Sequence, residues 1–175
     1  MRSVLIVTMA IVLAAATAAA AKPVAATSRL TVLNESRCIE AGPNQEDEVG
    51  DELYKRCPIA GLPTVWLLYL DGVRLRLGFG STPTASGMFD ADRDPAWPIE
   101  WRGRGAGRAF KPYAVILRLR APGERPSQLV VFRLRADGTS CIIGSVAPGA
   151  NQNLAARTLA DGNAPCEAEP DLLGD

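Results

Sequence analysis

The chain has 175 residues, 47% of them hydrophobic, with 19 basic and 19 acidic side chains and no histidine. That length suits one domain with a real core once a leader is set aside, and is short for two. Without histidine there is no Ser-His-Asp or Cys-His catalysis and no imidazole metal site, and the balanced charge argues against nucleic acid as a partner.

In chain order, Met1-Arg2-Ser3 leads into the apolar run VLIVTMAIVLAAATAAAA. A basic start, an apolar stretch and small A-x-A residues read as a secretory signal peptide over 1–21, with cleavage expected after Ala21. The Ala-rich half is too weakly hydrophobic for an anchor and no basic cluster follows it, so no membrane span is expected after removal. The remainder, 22–175, is read as a single β-rich domain with an ordered core over 28–166, secreted or periplasmic. Loss of Arg2 leaves 18 basic against 19 acidic residues.

Four cysteines behind an export signal imply disulfides. Proximity favours Cys38–Cys57 and Cys141–Cys166. A zinc site competes weakly, because no C-x-x-C spacing is present.

Residues 29–34 read as a short strand, and the acidic piece 41–51 as a solvated loop based on Cys38–Cys57. Runs 64–70 and 73–79 flank Asp71-Gly72, a hairpin signal. A two-residue turn there sets Leu70, Leu68 and Trp66 across from Val73, Leu75 and Leu77, and Tyr69 across from Arg74 within cation–π reach. The Ser, Thr, Pro, Gly and Asp-rich stretch 80–96 reads as one long loop. Trp97, Ile99 and Trp101 then share a face, and Pro98 marks an edge strand or a strand start.

The stretch 110–146 organises the rest. It holds three strand-like runs, 113–120, 129–136 and 140–146. Alternation puts Tyr113, Val115, Leu117 and Leu119 on one face, opposite Arg118 and Arg120; Val130, Phe132 and Leu134 share the next inward face. The expected register sets Leu119 against Val130, Leu117 against Phe132 and Val115 against Leu134. A two-residue turn at Asp137-Gly138 pairs Leu134 with Cys141 and points Cys141 into the core. Asn151 reads as a helix N-cap, 152–160 as a short helix and Gly162 as its stop. That helix is expected to fold over the sheet's core face and bring Cys166 to Cys141. The fold class is therefore mainly β: an antiparallel sheet of about six or seven strands closing into a small barrel or sandwich, with one C-terminal helix and two disulfides.

Four groups could carry chemistry. Asp90, Asp92 and Asp94 resemble the opening of a calcium loop, but Pro95 stands where the turn needs Gly and Glu100 falls one residue short of the closing ligand; a solvated turn is the plainer reading. Arg102, Arg104 and Arg108, with Lys111, Arg118 and Arg120, suit a phosphate or carboxylate ligand, because guanidinium forks and Gly N–H groups recognise such anions. Trp97, Trp101 and Tyr113 could stack on sugar, though core packing is the commoner fate of aromatics on an apolar face. Glu100 with Asp90 or Asp94 could form a hydrolytic carboxylate pair. The sequence calls for no cofactor. The expectation is a non-enzymatic binding module for an anionic envelope polymer or a protein partner, with a carboxylate hydrolase or a structural role as alternatives.

Overall fold

The computed structural model describes residues 25–41, 53–90, 96–120 and 127–167. The signal-peptide region, most of the acidic piece 41–51, Asp92, Asp94 and the turn at 121–126 lie outside the described residues. Among the described residues ten strands form two antiparallel five-stranded sheets packed as a sandwich rather than a closed barrel. One sheet has the order β1 (Ala26–Asn34), β7 (Ala96–Arg104), β8 (Lys111–Leu119), β9 (Gln128–Leu134), β10 (Ser140–Val146). The other runs β2 (Ile39–Glu40), β3 (Leu53–Cys57), β4 (Val65–Tyr69), β5 (Arg74–Phe79), β6 (Ser86–Asp90). The three extra strands are β2, β3 and β6; β6 lies inside the stretch expected to be one loop, and a bulge between Leu75 and Leu77 interrupts its pairing with β5.

Between the sheets lie Val65, Leu67, Leu75, Leu77, Phe79, Ile99, Trp101, Val115, Leu117, Val130 and Phe132. Phe79 meets Phe132 and Trp101 edge-on, with ring centroids 5.0 and 5.9 Å apart, the geometry the ring quadrupoles favour. Apart from Tyr113, the faces expected for β8 and β9 are correct, but the register differs by two residues: Leu117 pairs with Val130 and Val115 with Phe132. A two-residue shift keeps every side chain on its face, so the apolar pattern alone could not separate the two registers. Pro98 is near the start of β7, yet β7 is an interior strand. Its ladder with β8 begins at Ile99, so the missing proline N–H breaks no bond there.

Both Asp-Gly hairpins turn differently from the two-residue expectation. Type I′ requires positive φ at both central residues, and among the described residues only glycines have it: Gly72 at 75° and Gly138 at 81°. The Leu70 N–H donates to the Arg74 carbonyl and the Arg135 N–H to the Thr139 carbonyl, closing three-residue loops. One extra residue swaps faces. Leu67 therefore pairs with Leu77 inside the sandwich, while Trp66 and Leu68 turn outward, against Gly78 and Arg76. Tyr69 faces Leu75, and the cation over its ring is Lys55 at 5.1 Å rather than Arg74.

In the second hairpin the same shift sets Cys141 across from Arg133, on the outer face of the sheet and not in the central core. A bulge between Ile142 and Gly144 then restores the alternation, leaving Ile142 against the central core and Ile143 on the outer face. The helix α1 (Gln152–Asp161) accordingly packs on that outer face, not on the core face. Ala156 and Ala160 meet Ala114, Ile116, Leu129, Val131 and Ile143 in a second apolar cluster. Asn151 makes no side-chain cap bond; Gly162 ends the helix by donating to the carbonyls of Thr158 and Leu159. Both expected disulfides are present, with Cα–Cα distances of 4.3 Å for Cys38–Cys57 and 5.6 Å for Cys141–Cys166. Two closed disulfides and no free thiol among the described residues suit an oxidising environment.

Candidate functional site

The basic residues that look continuous in sequence separate into three environments. Arg102 is buried at 7% exposure on the outer face of β7. Its Nε donates to Asp161 Oδ1 at 3.0 Å, Nη2 to Asp161 Oδ2, and Nη1 to Ser28 Oγ at 2.6 Å. A buried guanidinium needs such partners, and a bidentate carboxylate matches its planar fork.

Tyr113 completes this clamp. Alternation places it with Val115 in the core, but a bulge pairs Gly103 with Pro112 and Arg102 with Ala114, so Tyr113 falls out of the ladder. Bulges re-aim side chains. The Tyr113 hydroxyl donates to Asp161 Oδ1 at 2.6 Å, and Arg104 lies over its ring at 5.8 Å. Beside it, Ser28 donates to Glu100, and Arg157 of α1 donates from Nε and Nη2 to both Glu100 oxygens at 2.7 and 3.1 Å. Burial pushes both carboxyls up, but the Arg157 fork and Ser28 on Glu100, and Arg102 and Tyr113 on Asp161, outweigh it and hold each below the usual carboxylate range. Asp161 in turn pushes Arg102 further up. This network fastens the helix to the sheet.

Arg104, Arg108 and Lys111 are exposed at the β7–β8 turn. Arg118 stands near the other end of β8, seven residues from Lys111 and therefore about 23 Å away along the strand, and Arg120 follows just past the strand's last residue. There the helix leaves part of the outer face open. A groove of about 410 Å³ has Leu30, Pro98, Ile116 and Leu129 among its apolar lining residues and Arg118 and Arg120 among its polar ones. Glu100, Asp90 and Asn153 also border it. Arg118 Nη2 donates to Gln152 Oε1 at 2.9 Å, while its side chain remains exposed. The chemistry on offer is an apolar trough with guanidinium donors at one end, suited to an anion carried on an apolar body.

The other candidates disperse. Trp101 is fully buried and its Nε1 donates to Thr31 Oγ1 at 2.8 Å, Trp97 packs against the central core, and Tyr113 lies on the opposite face, so no aromatic platform forms. Asp90 is the one described member of the Asp90, Asp92, Asp94 run, and no group of three acidic or Cys side chains positioned for a metal occurs among the described residues. Sequence reading missed Asp161. An acid in the last turn opposes the helix dipole unless a cation meets it, and that was the available signal.

Fold and site together define a disulfide-stapled two-sheet sandwich with a helix clamped over part of one outer face. No family model matches the chain, and no curated protein and no solved structure matches it.

Proposed function

We propose that this chain is an exported, non-enzymatic binding module that takes an anionic envelope component in the groove beside Arg118 and Arg120. Export rests on the leader-like 1–21 and on a cysteine set suited to an oxidising compartment. The observation that carries the reading is that exposed Arg118, near the end of β8, and Arg120, just past it, border one apolar trough. Arg102 is consumed by Asp161 and is set aside as a ligand residue. The carboxylate hydrolase is less well supported, because Glu100 is gripped by Arg157 through both oxygens and held ionised, which disarms it as a proton donor near neutral pH.

The test is retention of the mature chain on an anionic envelope polymer against a salt gradient. Retention should fall as salt rises. Charge-assisted contacts are worth roughly 1.5–3 kcal/mol, so Arg118→Ala should weaken binding about tenfold or more. The triple change Arg104→Ala, Arg108→Ala and Lys111→Ala at the far turn should leave it within about twofold. Salt-insensitive retention, or equal loss from both sets, would count against the groove.

A further inference from the structure

β1 is an edge strand of nine residues that pairs with β7 in an unbroken register, and no other described strand lies along its second side. Edges of this kind are commonly blunted by Lys, Pro or a bulge. β1, reading ATSRLTVLN, has none of the three. Its one charge, Arg29, turns inward across from Trp101 and donates to the Ala60 carbonyl at 3.2 Å. On the outer face the strand presents Ser28, Leu30 and Val32 in alternation; Leu30 is 73% and Val32 63% exposed, the first and second most exposed of the large hydrophobics apart from Leu154. Among the described residues, the edge thus offers backbone with no strand partner and two unburied aliphatic side chains together.

We infer that β1 is a self-pairing edge: two copies of the chain join antiparallel along it into one ten-stranded sheet. The sequence of the strand is what selects a second copy over another partner. With a twofold axis at Thr31, Leu30 lies across from Val32 of the second copy, twice over, and both apolar pairs are buried by one association. Ser28 lies across from Asn34 of the second copy. The two Arg29 residues stand four positions apart, about 13 Å, so like charges do not meet. Moving the axis to Arg29 would oppose the two arginines, and moving it to Leu30 would set Val32 against Ser28. With 18 basic and 19 acidic residues in 22–175, copies also approach without net repulsion. An axis normal to the sheet keeps both outer faces on one side. Both grooves, each lined by its own Leu30, then face the same way.

The experiment is sedimentation velocity on the disulfide-intact chain 22–175 from about 1 to about 200 μM, a range that brackets weak and moderate dimers. A concentration-dependent dimer is expected, weakened at least tenfold by Leu30→Lys with Val32→Lys, while circular dichroism and the thermal midpoint at the lowest concentration, where both chains are monomeric, stay those of the parent. Register is read by mild oxidation: a mixture of Leu30→Cys and Val32→Cys chains should crosslink faster than either alone. A parent that stays monomeric throughout, a dimer indifferent to the lysines, or crosslinking of Leu30→Cys alone that outruns the mixture would each overturn the inference.

Discussion

The two ends of β8 hold similar side chains in opposite circumstances. At one end Arg102, delivered by β7 beside Ala114, is buried against Asp161, with Tyr113 and Ser28 sharing the contact. At the other, Arg118 and Arg120 border an open groove that the helix does not cover. The helix makes the difference. Its last residue closes on one arginine, while its first residue, Gln152, merely touches the other. A basic stretch read as one patch is thus divided into a structural bolt and the rim of an open groove.

That contrast can be broken most severely at the bolt. Asp161→Asn leaves the buried Arg102 guanidinium without its anion; because Asp161 is itself solvent-exposed, the loss is that of a screened, charge-assisted pair, about 1–2 kcal/mol. Chemical denaturation should show the loss, with retention on anionic polymer unchanged for the fraction still folded. A smaller loss should come from acid. Glu100 and Asp161 both have folded-state values below their unfolded ones. Their contribution is therefore complete above the ordinary carboxylate range near pH 4 and fades as pH falls through the lowered values. Hydrogen exchange should find α1 opening before the central strands under those conditions, and simultaneous opening would show that the clamp is not what holds the helix. Arg157→Ala removes a pair whose cation is 44% exposed, and should cost about 1 kcal/mol or less. Arg118→Ala, the least damaging to stability at under about 0.5 kcal/mol, is the change expected to reduce retention most.

The inward faces of β8 and β9 were legible because Val115, Leu117, Val130 and Phe132 alternate with charged or outward residues. The hairpin registers were not. Asp-Gly suits both a two-residue turn and a three-residue turn ending in left-handed Gly, and those outcomes differ by one residue, which reverses Leu67 and Cys141. The helix's seat was partly legible. Ala114 to Leu117 is apolar on both faces, the mark of a strand covered on both sides. The Arg102–Asp161 pair spans 59 positions, and no spacing rule joins residues so far apart. The groove depends on where that helix stops, so it followed the same fate.

The Cys141–Cys166 bond encloses α1 between its two ends. Should every ion pair under the helix melt, the segment would swing away on a leash and still hover over the sheet at high local concentration. Re-docking then needs no search through solution, and a protease that nicks the exposed connection before or after the helix would leave both pieces bound as one molecule.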